Sequence, residues 1–338
     1  MIKDNPISKR EASEHLWRVC FDDTESFIRL YFDHIYKDED TILLYEDGLA
    51  VAHIEMLRYH FVLCGKILPF GYISGACTLP EYRNKGLMKK LLSEALLQMY
   101  GRGDIWSVLI PQEQWLYDYY HRAVSYVPAF SKDAMRYSFD QSLDSFVSSV
   151  YDRYTSPCGM YVYHTVDQIK AEEMDYALAD GGRFYSFDRG SIFYFEDKDR
   201  LKIMGMAGNV TRKELSDFLT YYINSHPGLR FLSFVCPSER GEALKDPVNM
   251  IRVVNLEALM KIILSDYEFS LRLRANLPAA FTVDDPIIEA NKLSYSWDGN
   301  TYHRVEKTDF SYEIINIDMV AEALIRSIGK GFVNLMMD

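Results

Sequence analysis

Tyr72 to Tyr100, YISGACTLPEYRNKGLMKKLLSEALLQMY, decides the fold. Tyr72 to Leu79 is aromatic, β-branched and small, and predicts a strand that stops at Pro80, because proline cannot continue a ladder. From Leu87 the apolar residues fall at Leu87, Met88, Leu91, Leu92, Ala95, Leu96 and Met99, a stripe of helical period. Between strand and helix lies Arg83-Asn84-Lys85-Gly86, a basic turn with its glycine where the helix begins. A strand–turn–helix of this kind aims backbone N–H groups and the positive helix end at one point outside the chain. The turn therefore predicts an anion cradle suited to a pyrophosphate. Arg83 and Lys85 add mobile positive charge, and Gly86 lets a phosphate approach the backbone without meeting a Cβ.

Outward from this stretch, the N-terminal side predicts two helices, 8–19 and 24–36, then strands over 41–45, 49–59 and 61–68. Glu46-Asp47-Gly48 is a hairpin turn by its Asp-Gly step, and Cys64-Gly65-Lys66 is a second candidate turn. On the C-terminal side, Ile105 to Ile110 reads as a buried strand parallel to the first, with the helix as crossover. A helix opens near Pro111 and carries Tyr117, Tyr119, Tyr120, His121 and Arg122. Residues 127–139 read as a closing strand.

The run L-P-E-Y-R-N-K-G-L-M-K-K-L-L resembles motif A of the GNAT acetyltransferases, V-x-P-x-x-R-x-x-G-x-[GA] followed by a helix. Thr78, Pro80, Arg83 and Gly86 fall in register, and Met88 stands where a small residue is usual. The resemblance implies that Arg83, Asn84, Lys85, Gly86, Leu87 and Met88 bind the pyrophosphate of acetyl-CoA, the co-substrate. It further implies that the backbone of Ala76, Cys77 and Thr78 binds the pantetheine arm and the acetyl carbonyl in a gap between the two parallel strands. Transfer is then direct, and Cys77 is a small core residue rather than a nucleophile. Residues 111–122 resemble the opening of GNAT motif B; Ser125 stands where glycine is usual, with one residue more than the pattern. By this resemblance Tyr120 protonates the departing thiolate, with Tyr117 next if the register shifts. A phenol of pKa near 10 is well matched to a thiol.

Beyond residue 140 the pattern is again mixed. Helices are predicted over 167–179 and 211–225, the second with a Thr211/Glu214 capping box. Strands are predicted over 183–196, turning at Asp188-Arg189-Gly190, and over 201–207 and 230–235. Gly205 and Gly208 are the glycines nearest the second crossover and have no basic partners. This reads as a degenerate copy of the first fold without its cradle. Met250-Ile251-Arg252-Val253-Val254-Asn255 resembles the run that opens the last domain of the Eis (enhanced intracellular survival) branch of GNAT enzymes. The remaining residues predict a helix to 264, strands at 267–273, 293–297, 302–307 and 310–317, and a helix over 317–328. The fold class expected is α/β and α+β: a catalytic GNAT domain (1–140), a degenerate GNAT-like domain (141–247) and a sterol-carrier-protein-like α+β domain (248–338). In that branch the chain-terminal carboxylate, here Asp338 in GFVNLMMD, acts as general base.

Composition bounds the rest. The chain has 338 residues, 48% hydrophobic, and a formal charge of −12. That charge argues against a nucleic-acid surface and an anionic membrane as partners, and is compatible with a small cationic, amine-bearing acceptor. Cys20, Cys64, Cys77, Cys158 and Cys236 are scattered, with no pattern for a metal or disulfide framework. A cytoplasmic, metal-free N-acetyltransferase is expected, assembling as a trimer or hexamer by the resemblance. The competing readings are a non-catalytic acyl-CoA-binding protein and a lipid carrier using the last domain.

Overall fold

The computed structural model describes residues 8–154, 159–238, 247–306 and 312–328, with the backbone of 331–332. The chain forms two compact units. The first comprises residues 1–59, 69–127 and 251–322, and the second comprises 60–68, 128–250 and 323–338.

The first unit opens with helices α1 (Lys9–Cys20) and α2 (Glu25–His34). Ser8 and Thr24 cap them through their hydroxyls, Ser8 within a full capping box. Strands β1 (Thr41–Glu46), β2 (Leu49–Leu63) and β3 (Lys66–Thr78) come next. Asp47 and Gly48 turn the first hairpin, and Cys64 and Gly65 the second, each with positive φ, the conformation that two-residue hairpins require. The expected strands 49–59 and 61–68 are corrected here. Residues 61–63 continue β2, and 66–68 join the motif strand as one run through Pro69. The reversal is confined to the tight turn, so the chain needs no break elsewhere.

Helix α3 (Leu87–Gly101) crosses from β3 to β4 (Trp106–Leu109), and β3 and β4 pair in parallel over Phe70–Tyr72 and Trp106–Val108. This is the crossover expected from the sequence. Helix α4 (Gln114–Val124) comes after β4 and packs on α3. The expected strand 127–139 is instead two pieces, β5 (Val127–Pro128) and β6 (Lys132–Tyr137). Pro128 has no N–H to extend a ladder; beyond it, Ala129 N–H donates to the Asn249 carbonyl at 2.9 Å, and β6 belongs to another sheet.

In the second unit, β6, α5 (Leu143–Tyr154), β7 (Met160–Tyr163), α6 (Val166–Leu178), β8 (Gly182–Ser186), β9 (Gly190–Asp197), β10 (Arg200–Gly208), α7 (Arg212–Ser225) and β11 (Phe231–Pro237) come in order. The sheet runs β6-β11-β10-β9-β8. Strands β10 and β11 are parallel around α7, repeating the β3–α3–β4 arrangement. Val147, Ile192, Ile203, Leu215, Phe218 and Phe234 form its core.

Strand β12 (Met250–Val253) is the hydrogen-bonded neighbour of β4 and β5. Helices α8 (Leu256–Ile263) and α9 (Tyr267–Arg274) come after it. The strand expected over 267–273 is thus a helix. Asp266 caps it by accepting from Phe269 N–H at 2.9 Å, and Phe269 and Leu273 are buried four residues apart, on one helical face. Strands β13 (Ala280–Asp284), β14 (Ser294–Trp297), β15 (Tyr302–Val305) and β16 (Glu313–Asn316) form a sheet in the order β15-β14-β13-β16. Strand β13 was not expected from the sequence. Helix α10 (Ile317–Ile328) and β17 (Gly331–Phe332) end the described chain. Asp338 lies outside the described residues. No described helix is long and apolar enough to cross a membrane.

Candidate functional site

The pairing of β3 with β4 ends at Tyr72, yet β3 continues to Thr78. Ala76, Cys77 and Thr78 therefore lie on a reach of strand that has left its parallel neighbour. Leu79 N–H returns to the Val51 carbonyl at 2.9 Å, and Pro80–Tyr82 make one 3₁₀ turn. Asn84 (φ 63) and Gly86 (φ 76) are both left-handed, and α3 starts at once. Gly86 occupies the N-cap position with no side-chain hydrogen bond. Ser8, Thr24, Thr165, Thr211, Asn255 and Asp266 all cap their helices. Glycine at the N-cap leaves first-turn N–H groups without a side-chain partner, at a cost of roughly 0.3 kcal/mol.

Around this end Arg83, Asn84, Lys85 and Gly86 are exposed, and Leu87 and Met88 are half-buried. No protein atom lies within 4 Å of the place a Gly86 Cβ would take. The glycine is demanded by backbone conformation, and the space above it is open. Arg83 Nε donates to the Thr78 carbonyl at 3.1 Å, which ties the turn to the strand end. Lys85 Nζ stands 4.4 Å from the centre of the Tyr82 ring. Beside Gly86, a groove of about 620 Å³ runs along α3 to β1, lined by Lys89 and Lys90. The second crossover lacks these properties. Thr211 and Glu214 close the N-terminus of α7 with a capping box, and a Cβ on Gly208 would meet the Arg189 carbonyl at 2.3 Å. The cradle there is filled by the protein.

Cys77 is buried beneath the turn with Leu16, Val51 and Leu79. The neighbouring Cys20 thiol, then burial, pushes the Cys77 thiol well above its ordinary 9.0. Cys20 moves the other way, to about 7: the hydrogen bond from Cys77 outweighs burial, and the Arg83 charge helps.

Tyr120 sits on α4, 8% exposed. Its ring is 5.4 Å from that of Tyr119 and 6.2 Å from that of Tyr126, whose hydroxyl meets Ser107 of β4. Burial pushes the Tyr120 phenol above its ordinary 10.0, so it stays protonated through the neutral range. Tyr117 is shifted upward for the same reason. His121, adjacent in sequence, accounts for its Nδ1 by a 3.0 Å contact with the Tyr126 carbonyl. Ser125 ends α4 in the left-handed conformation, φ 61, so a serine stands in the backbone state that glycine favours.

Arg252, from the Met250–Asn255 run, is fully buried in the first unit. It donates to the Val124 carbonyl at the end of α4 (2.7 Å), to the Val253 carbonyl (2.8 Å) and to Asp285 (2.7 Å). Asp285 also accepts from Ile287 N–H, Ile288 N–H and the Asn291 amide. The helix that carries Tyr120 is thereby fixed by a residue 128 positions away. A second buried group went unread in the sequence: His53 and Glu55 on β2, with Tyr31 of α2 and Ser74 of β3. Its signal is a histidine and a carboxylate two residues apart in the otherwise apolar run 49–57.

Residues 5–123 match the family model of the acetyltransferase (GNAT) domain. No curated protein matches the chain. Among solved structures, a GCN5-related N-acetyltransferase from Anabaena variabilis is similar at 14% identity and TM-score 0.62, covering 96% of each chain. Eis1 from Mycobacterium abscessus is similar at 13% identity and TM-score 0.60, over 93% of this chain and 85% of that one. A probable N-acyltransferase from Enterococcus faecalis V583, a conserved protein of unknown function, shares 15% identity at TM-score 0.61, over 94% and 86%. At these identities the likeness is one of fold, and it extends over nearly the whole chain. Over residues 5–123 the chain carries a GNAT acetyltransferase domain, the signature of an acyltransferase.

Proposed function

We propose that the protein is an acetyl-CoA-dependent N-acetyltransferase of the Eis-like branch, acting on an amine of a small, cationic molecule or a peptide. The observation that carries this reading is the uncapped, open, basic N-terminus of α3 at the end of a strand that has parted from its parallel neighbour. Those features fit a diphosphate and a thioester arm. Arg83 to Met88 would hold the pyrophosphate, and the backbone of Ala76, Cys77 and Thr78 the pantetheine and acetyl carbonyl. Acetyl-CoA supplies the activated acyl group. The Tyr120 hydroxyl, kept neutral by burial, gives its proton to the departing sulfur. Asp338 enters this reading through the resemblance alone, as a terminal carboxylate that accepts the amine proton. The same resemblance supplies a sterol-carrier-protein-like last domain, a trimeric or hexameric assembly and a cytoplasmic location.

The test is coenzyme A release from acetyl-CoA with a panel of polyamines and aminoglycosides. Turnover on at least one amine is expected, with kcat about 10²-fold lower in Tyr120→Phe. Binding of acetyl-CoA without turnover on any amine would leave an acyl-CoA-binding protein and remove the enzyme reading.

A further inference from the structure

Strand β2 is buried along most of its length, and His53 and Glu55 point from it into the first unit with no exposure at all. The hydrogen bonds around them form a directed chain. Tyr31 Oη lies 2.7 Å from Glu55 Oε2 and 2.9 Å from Ser74 Oγ. A phenol has one proton to give, and a carboxylate can only accept, so Tyr31 donates to Glu55 and Ser74 donates to Tyr31. Ser74 is half-buried on β3, two residues before Ala76, on the reach beyond the β4 pairing. Its oxygen keeps lone pairs free to accept.

The far end of the chain is unsatisfied. His53 Nδ1 stands 2.7 Å from the Gly75 carbonyl, which can only accept, so the ring proton is on Nδ1. That leaves the Nε2 lone pair facing Glu55 Oε1 at 3.3 Å, and neither atom has a hydrogen bond. Two opposed acceptors sealed from water are costly, and buried polar groups in native proteins are rarely left so. A proton on either oxygen of Glu55 removes the negative charge that faces the Nε2 lone pair. Gly75 holds its end in place: it has φ 58, and a Cβ there would meet Trp17 at 2.6 Å and His53 at 2.9 Å. The other titratable groups nearby are Tyr72 and Cys77 of β3 and Cys20 of α1, with Arg83 acting on the cysteines.

We propose that Ser74, Tyr31 and Glu55 form a relay that takes the proton of the acceptor ammonium, with Glu55 as its store and His53 facing it. This rests on the acetyl-transfer reading and places proton uptake within the described GNAT domain. The amine proton passes to Ser74 Oγ, the Ser74 proton to Tyr31 Oη, and the Tyr31 proton to Glu55 Oε2. The neutral amine then attacks the thioester carbonyl, the C–N bond forms and the C–S bond breaks. The second nitrogen proton, lost from the adduct, is the one the resemblance assigns to the Asp338 carboxylate, and it offsets in the overall balance the proton that Tyr120 gives to sulfur. Burial, then the Glu55 charge, keeps the Tyr31 phenol well above 10.0, so Tyr31 conducts protons and does not store them.

Two measurements on the full chain test the relay. Infrared difference spectra of the protein with and without spermidine should show a buried protonated-carboxyl band that is absent in Glu55→Gln. Coenzyme A release with spermidine and tobramycin as acceptors should fall about 10²-fold in kcat for Glu55→Gln and at least tenfold for Ser74→Ala, with KM for acetyl-CoA unchanged. Ser74→Thr, which keeps the hydroxyl, should restore most of the turnover lost in Ser74→Ala, a rescue that a structural role alone does not produce. Folding of each variant is checked by circular dichroism; Ser74→Ala, a small change on a half-buried strand residue, covers the case in which Glu55→Gln fails to fold. Absence of the band, or full turnover in both variants, overturns the relay while leaving acetyl transfer intact. Full loss of turnover on deleting Asp338, with Glu55→Gln fully active, gives the base to the terminus instead. If the wild type acetylates no amine, the acetyl-transfer reading fails and the relay with it.

Discussion

Arg252→Met is the perturbation whose size the structure sets most directly. The arginine is fully buried and makes three hydrogen bonds, to two carbonyls and one carboxylate. Methionine fills much of the same volume but donates nothing. Breaking one side of a buried ion pair costs about 3–5 kcal/mol, because the partner charge stays behind. Asp285 keeps three donors, Ile287 N–H at 2.9 Å, Ile288 N–H at 3.0 Å and Asn291 Nδ2 at 2.9 Å, which draws the loss toward the lower bound. The stranded Val124 and Val253 carbonyls add about 1 kcal/mol each. We expect a loss of about 5 kcal/mol in urea unfolding followed by circular dichroism, a large share of a typical 5–15 kcal/mol total. Asp285→Asn made in the Arg252→Met background should cost less than in the wild type, with a coupling of about 1–3 kcal/mol. A loss below about 1 kcal/mol at unchanged m-value would refute the idea that this pair anchors the end of α4.

Three further outcomes are expected. Gly86→Ala meets no atom but must hold φ 76, so it should cost about 1–2 kcal/mol of stability and raise KM for acetyl-CoA more than it lowers kcat. Ser125→Gly relieves a left-handed serine and should raise stability by about 1 kcal/mol, read as a higher Tm. Cys20, lowered to about 7, is half thiolate at that pH and more so above it. Its alkylation by iodoacetamide should therefore rise with an inflection near pH 7 instead of 9, while buried Cys77 stays unlabelled; an inflection near 9 would contradict the Cys77–Arg83 environment.

The turn before α3 and the start of that helix are legible in the sequence because their information is local. Pro80, Arg83 and Gly86 fix a turn within seven residues, and the apolar stripe after it has one period to match. At the second crossover the expectation of no cradle rests on Gly205 and Gly208 having no basic partners, and the structure closes that helix start with the Thr211/Glu214 capping box, also a local feature. Local reading failed where distant residues decide. YEFSLRL at 267–273 alternates well enough to pass for a strand, and only the Asp266 cap and the shared burial of Phe269 and Leu273 make it a helix. Arg252 carried the family resemblance, yet its function as an anchor depends on Asp285 and on Val124, which no sequence spacing connects. Residues 127–139 split because Asn249 takes the Ala129 N–H, and the unpaired His53–Glu55 contact exists only once β2 is packed.

The central claim is that the first turn of α3 and its basic approach hold a coenzyme A diphosphate. Titration calorimetry of acetyl-CoA into the wild type and the Lys85→Glu variant tests it most directly, since Lys85 is exposed and its loss leaves the fold intact. One charge-assisted contact is worth about 1.5–3 kcal/mol, so the account predicts binding at least tenfold weaker in the variant. Equal affinity for both proteins, or affinity undiminished for acetyl-pantetheine, which lacks the diphosphate, would contradict it.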